Sequence, residues 1–218
     1  MALAIFDLDN TLIAGDSDHS WGEFLIDQRK VNQSEYRAMN DKFLADYEAE
    51  NLDISAYLEF SLSPLTNMAT IELNQLHEKF MDQVIEPMKL SQANELIERH
   101  RQSGDRLLVI TATNRLVVEP IISSFGIDEF LATDPEIISG RVTGKVIGSP
   151  TFREGKVERL KDWLTENNES LEGSYFYSDS INDLPLLQEV DHPIAVDPDD
   201  ALHKESERRG WPIISLRN

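Results

Sequence analysis

Three polar segments in this chain each close an apolar run, and a lysine stands before the last of them. Asp7-Leu8-Asp9-Asn10-Thr11 follows Leu3-Ala4-Ile5-Phe6, Thr111-Ala112-Thr113 ends the run that begins at Arg106, and Asp179-Ser180-Ile181-Asn182-Asp183 follows Ser174-Tyr175-Phe176-Tyr177-Ser178. Lys156, next to Gly155, opens a helical pattern ahead of that last run. Carboxylates and a lysine gathered in one crevice repel one another unless a cation neutralises part of the charge, and hard oxygen ligands favour Mg2+. Such a set suits phosphoryl transfer. The cation and the lysine would clamp phosphate oxygens while a carboxylate attacks phosphorus. Asp7, first off its run, is the expected nucleophile. Asp9, on the same side of an extended backbone, is the expected acid and base that protonates the leaving alcohol and later activates water. Phosphate-ester hydrolysis is the chemistry these residues imply.

The elements that would bring these segments together are readable. Short continuous apolar runs suit strands buried on both faces of a parallel sheet, and Pro193-Ile194-Ala195-Val196 supplies one more. Helical spacing joins Leu90, Ala93, Ile97 and His100 before Gly104, and Val157, Leu160, Trp163 and Leu164 after Gly155. The alternation predicts an α/β fold, a doubly wound parallel sheet with its site beyond the carboxyl ends of the strands. Between about residues 15 and 86 the alternation gives way to helical spacing. The expected organisation is therefore a core of residues 1–15 and 87–218 with a helical cap, 16–86, inserted after the first strand. Ile137 to Val146, alternating around Ser139-Gly140, predicts a hairpin hanging off the sheet.

Asp7-x-Asp9-x-Thr11, a strand ending in Thr111, Lys156 and Asp179-x-x-Asn182-Asp183 resemble, in the expected order, the four motifs of the haloacid dehalogenase superfamily of phosphohydrolases. The placement of the helical insertion is similar to that of the phosphoserine phosphatase-like branch. The resemblance implies a Rossmann-like core under a mobile cap. It implies Asp7 as nucleophile and metal ligand, Asp9 as acid/base with its carbonyl on the metal, and Thr111 and Lys156 on the phosphoryl oxygens. Asp179 would be the remaining protein ligand to Mg2+, with Asn182 and Asp183 ordering water and the lysine behind it. Thr11 reads as a local hydrogen-bonding support.

The non-phosphate end of the substrate is read from the cap. Residues 16–86 hold 15 acidic and 5 basic residues, an excess that suits a small phosphate ester with a cationic end. Phosphoserine carries a carboxylate and calls for a cap cation, which only Arg29, Lys30, Arg37, Lys42 or Lys79 could supply. Histidinol phosphate has an amine and an imidazole and no carboxylate. The stretch from Phe6 to Trp21 also resembles bacterial members of the branch described as histidinol-phosphate phosphatases. Asp16, Asp18 and Glu119 are the residues expected at the cationic end. His19 reads as a surface or hinge residue and Trp21 as a core anchor. His77, His100, His192 and His203 lack ligand spacing and read as helix-surface or turn residues.

Composition bounds the alternatives. The 218 residues suffice for one core with an appendage, and a net charge of −20 opposes binding to nucleic acid or anionic membrane surfaces. The absence of cysteine removes disulfides, thiolate metal sites and cysteine nucleophiles. The amino-terminal apolar run ends at Asp7, too short for a signal or membrane segment, so a cytoplasmic location is expected. A receiver-like module holding a phosphorylated aspartate is a different class of reading, which Asp9 opposes because an acid/base at that position promotes breakdown of the acyl phosphate. A phosphotransferase or mutase on the same scaffold stays open, and the sequence is silent on oligomeric state.

Overall fold

The computed structural model describes residues 2–217. The chain opens with β1 (Leu3–Phe6), and six helices then stand between it and the next strand: α1 (Ser17–Asp27), α2 (Gln33–Glu48), α3 (Ile54–Leu62), α4 (Thr70–Phe80), α5 (Glu86–Met88) and α6 (Ser91–Gln102). A 3-10 turn (Ser63–Asn67) follows α3, and a π turn (Met81–Ile85) joins α4 to α5. The rest alternates: β2 (Arg106–Asn114), α7 (Arg115–Ser123), β3 (Phe130–Ile138), β4 (Arg141–Ile147), α8 (Glu154–Asn167), β5 (Tyr175–Ser178), α9 (Leu184–Leu187), β6 (His192–Val196), α10 (Asp200–Arg209) and β7 (Ile213–Ile214).

The strands form one sheet in the order β4-β3-β2-β1-β5-β6-β7, parallel throughout except for β4. This is the doubly wound α/β sheet with a helical insert that the sequence predicts. Successive residues of β1 point to opposite faces, and each face finds its own core. Ala4 and Phe6 join Val109, Tyr177 and residues of α6 and α7 such as Ile97 and Ile121, a cluster that continues into the insert through Leu62, Leu76 and Phe80. Leu3 and Ile5 pack on the other side with Leu108, Phe176, Leu160 of α8 and Leu202 of α10. Burial on both faces explains why the strands read as unbroken apolar runs rather than alternating ones.

The sheet has two strands that the sequence reading does not contain. The first part of β3 lies parallel to β2, with Val109 opposite Phe130, before the same strand runs on into the expected hairpin with β4. Ser139 and Gly140 turn that hairpin with φ of 53° and 76°, the primed-turn geometry that matches strand twist. The two-residue β7 is too short to carry a periodic signal. His100 also departs from expectation. It is buried on α6, its Nδ1 at 2.9 Å from Asp105 and its Nε2 at 2.8 Å from the Tyr177 hydroxyl, because a helix laid on the sheet must satisfy any polar group on its buried stripe. His77 packs at a tilt of 40° against the buried Trp21 with ring centres 4.9 Å apart, and burial lowers its pKa to about 4.

Candidate active site

β1 is flanked by β2 on one side and β5 on the other, so the strand order reverses there and the carboxyl ends of the three strands bound one crevice. Asp7 is the first residue after β1, and its N–H donates to the Tyr177 carbonyl at 2.9 Å, continuing the ladder to β5. Its carboxylate is buried and accepts from Lys156 Nζ at 2.8 Å. The same ammonium donates to Asp183 at 2.8 Å, and Ser178 Oγ donates to that carboxylate at 2.7 Å. Lys156 is 3% exposed, so one desolvated cation sits between two buried carboxylates. Gly155 makes this approach possible: a Cβ there would lie 2.0 Å from the Pro150 carbonyl oxygen.

Asp9, two residues on, faces the insert. Its carboxylate accepts from the Ser17 N–H at 2.6 Å and from Thr113 Oγ1 at 2.9 Å, which ties β1 to the start of α1 and the end of β2. Thr111 is buried beneath it and accepts from the Thr113 N–H at 3.2 Å. Asp179, at the end of β5, accepts from Thr11 Oγ1 at 3.3 Å. Among the described residues, no ion pair reaches Asp9 or Asp179.

Crowded carboxylates with one cation among them hold their protons tightly. Burial, with the charges of Asp183 and Asp9 adding to it, raises Asp7 to about 7 against the pull of Lys156. Burial and the charge of Asp16 raise Asp9 to about 7. Asp179 is pushed well above the usual carboxylate range by burial and by Asp7 and Asp183. For Lys156, burial is outweighed by Asp183 and Asp7, and its pKa rises.

Above these groups lies a cavity whose roof is supplied by the insert: His19, Asn40, Phe43, Leu44, Tyr47, Leu52, Ile54 and Tyr57, with Phe152 from the core. Asp16 lines it and caps α1, accepting from the His19 N–H at 2.8 Å. Asp18 is buried and accepts from the Tyr57 hydroxyl, and burial raises Asp16 and Asp18 each to about 6. His19, read from sequence as a surface or hinge residue, is in the lining, with its Nε2 at 2.9 Å from Asp41. Trp21 is the core anchor expected, 1% exposed against Phe24 and Phe80.

Of the residues singled out by sequence, Asp7, Asp9, Asp16, Thr111, Lys156 and Asp179 share this cavity. Asp18, Asn182 and Asp183 stand directly behind its walls through Tyr57, Tyr47 and Lys156. Glu119 is not brought to it. It occupies an exposed position on α7, whose other face buries Val117, Val118, Ile121 and Ile122. Sequence reasoning missed the roof residues Phe43, Tyr47 and Tyr57, and also Phe152 and Arg153. Only the nearness of the last two to Gly155-Lys156 could have pointed to them.

A family model described as haloacid dehalogenase-like hydrolase matches residues 4–188. A histidinol-phosphatase of Neisseria meningitidis is 45% identical over 219 residues, covering 99% of both chains. Among solved structures, a protein of unknown function from Bordetella pertussis superposes with a TM-score of 0.93 at 42% identity, over 99% of this chain and 98% of that one. A substrate-bound phosphoserine phosphatase superposes with a TM-score of 0.73 at 18% identity, over 100% of this chain and 94% of the other, a likeness of fold. With its acidic crevice at the switch point of the sheet and a helical insert over it, the chain belongs to the haloacid dehalogenase-like hydrolases, as a phosphatase of the phosphoserine phosphatase-like type.

Proposed function

We propose that the protein is a Mg2+-dependent phosphomonoesterase that works through an aspartyl phosphate on Asp7, with a small amino-alcohol phosphate such as histidinol phosphate as its substrate. The observation that carries the substrate reading is the sign of the cavity. Lys156 is the one Lys or Arg in the described lining, and it is held by Asp7 and Asp183. None of the five cap cations that could meet a substrate carboxylate lines the cavity, and three of them are engaged elsewhere, Arg37 with Glu23, Lys30 with Glu72 and Lys42 with Asp46. An aromatic and apolar roof with Asp16 at its edge and Asp18 behind Tyr57 instead suits a flat cationic group. The name of the Neisseria relative agrees with this.

The donor set fits a hard divalent cation: Asp7 and Asp179 present carboxylate oxygens with raised proton affinity, and Asp179 has no cationic partner among the described residues. Asp7, Asp179 and the Asp9 carbonyl would hold Mg2+, which when bound would offset phosphate charge and keep Asp7 ionised and able to attack. Asp7 attacks phosphorus, and Asp9, protonated near neutral pH, gives its proton to the departing alcohol oxygen. The carboxylate so formed then takes a proton from the water that opens the acyl phosphate. Lys156 and Thr111 hold phosphoryl oxygens, while Ser178 and Asp183 fix the ammonium. Residues 16–86 act as the cap that excludes water from the acyl phosphate.

The test is phosphate release from a panel of phosphorylated amino alcohols, amino acids and sugars, with and without Mg2+, for the wild type and Asp7→Asn. Expected is metal-dependent turnover, lost in Asp7→Asn, with histidinol phosphate ahead of phosphoserine. Turnover led by phosphoserine would sink the substrate assignment, and activity in Asp7→Asn would sink the nucleophile.

A further inference from the structure

Tyr47 belongs to none of the four acidic or basic segments, yet it reaches them from the insert. It lies in the last turn of α2, and its ring lines the cavity together with Asp7, Thr111, Lys156 and Asp179, 6.1 Å from the ring of Phe152. Its backbone is clamped to the core. The Tyr47 carbonyl accepts from Asn182 Nδ2 at 3.3 Å, and the Glu50 carbonyl accepts from an Arg153 terminal nitrogen at 2.8 Å. Arg153 Nε donates in turn to Asn182 Oδ1 at 2.9 Å, and its guanidinium packs on Phe152.

The clamp is a built feature. Arg153 stands immediately before α8 with φ 50° and ψ −120°, a conformation that side-chain-bearing residues rarely adopt and that persists only where surrounding contacts enforce it. It aims a cation at the carbonyl end of α2, the end favoured for positive charge. One arginine thereby couples the Lys156 segment, the Asn182 loop and the cap. On the floor of the cavity Lys156 and Thr111 are the donors assigned to the phosphoryl group, the remaining charged groups are carboxylates, and Thr113 already donates to Asp9. A phosphoryl group placed on Asp7 needs hydrogen-bond donors, and a phenol is a neutral one.

We propose that Tyr47 is a catalytic residue supplied by the cap, donating a hydrogen bond to a phosphoryl oxygen as the group passes to and from Asp7, with Arg153 as its positioning residue. The inference rests on the reading of Asp7 as nucleophile. No bond to Tyr47 forms or breaks.

The experiment uses the full-length chain with Mg2+ and p-nitrophenyl phosphate, whose small leaving group makes few demands on the roof, and compares Tyr47→Phe, Arg153→Met, the double variant and Asp7→Asn. Tyr47→Phe keeps the ring and the carbonyl that receives Asn182, so its thermal midpoint should match the wild type. Loss of one hydrogen bond to the charged transferring group should lower kcat about tenfold to a hundredfold. KM should stay within about threefold, the signature of an interaction made mainly in the transition state. Inhibition by vanadate, a mimic of the five-coordinate phosphoryl group, should weaken by the same factor as kcat/KM, a readout that a packing defect would not reproduce. Arg153→Met should lower kcat in the parent and add little in the Tyr47→Phe background. Wild-type kcat and vanadate affinity in Tyr47→Phe, a loss confined to KM, or fully additive losses would overturn the proposal. Turnover by Asp7→Asn would instead overturn the nucleophile reading on which it rests.

Discussion

Replacing Asp9 by asparagine should make the metal-free protein more stable while it removes activity. The Asn Oδ1 can still accept from the Ser17 N–H, and its amide can donate to Thr113 Oγ1, so both hydrogen bonds survive and only the charge is lost. A carboxyl whose folded-state pKa stands above its unfolded value binds its proton more tightly in the folded state. The resulting stabilisation is complete below the unfolded value of 3.8 and is lost as pH rises through about 7. That gap corresponds to about 4 kcal/mol at about 1.4 kcal/mol per pH unit. Asp9 is partly exposed and titrates beside Asp7 and Asp16, which share the repulsion, so removing its charge alone should return about 1–2 kcal/mol at pH 8. For a chain of this length that is about 2–8 °C in thermal midpoint. The assay is calorimetry in EDTA at pH 5 and pH 8. The gain should appear at pH 8 and shrink at pH 5, where Asp9 is protonated already. A variant no more stable at pH 8, or a gain equal at both pH values, would refute the reasoning. With Mg2+ present, kcat should fall about 10²- to 10⁴-fold, the range for a lost general acid.

Lys156→Met should abolish turnover and leave Asp7 and Asp183 without their shared cation. Its destabilisation, about 3–5 kcal/mol at pH 8 for a broken buried pair, should be milder at pH 5, where Asp7 is protonated. Gly155→Ala should cut kcat and the thermal midpoint together, because a Cβ placed 2.0 Å from the Pro150 oxygen must displace the turn that delivers Lys156. Asp18→Asn should weaken KM for an amino-alcohol phosphate more than for p-nitrophenyl phosphate, whereas Glu119→Gln, away from the cavity, should leave both unchanged; equal effects of Asp18→Asn on the two esters would remove it from cation recognition.

The sequence by itself determined which residues form the floor of the cavity. Asp7, Thr111 and Asp179 each sit at the end of an apolar run, and a parallel sheet places strand ends of that kind on one edge, so the one-dimensional pattern was already a spatial statement. Lys156 was legible for a similar reason, as the first turn of a helix that must cross back over the sheet. The roof had no such signal. Phe43, Tyr47 and Tyr57 share helical spacing with ordinary core residues of α2 and α3, and which side chains face the crevice depends on how α2 packs against α1 and α3 against β4. Close approach at Gly22, where a Cβ would lie 2.6 Å from Asn40, sets part of that packing. Glu119 shows the limit from the other side: nearness in sequence to Thr111 suggested the site, but the winding of α7 turned it to solvent. His100 is likewise decided by tertiary structure, since a lone histidine on an amphipathic helix, with the local Asp105 on one ring nitrogen, becomes a buried link only when Tyr177 arrives from β5. Local pattern fixes what depends on strand direction and helix phase. Contacts between elements distant in sequence decide the cavity's shape and the sign of the charge that faces it.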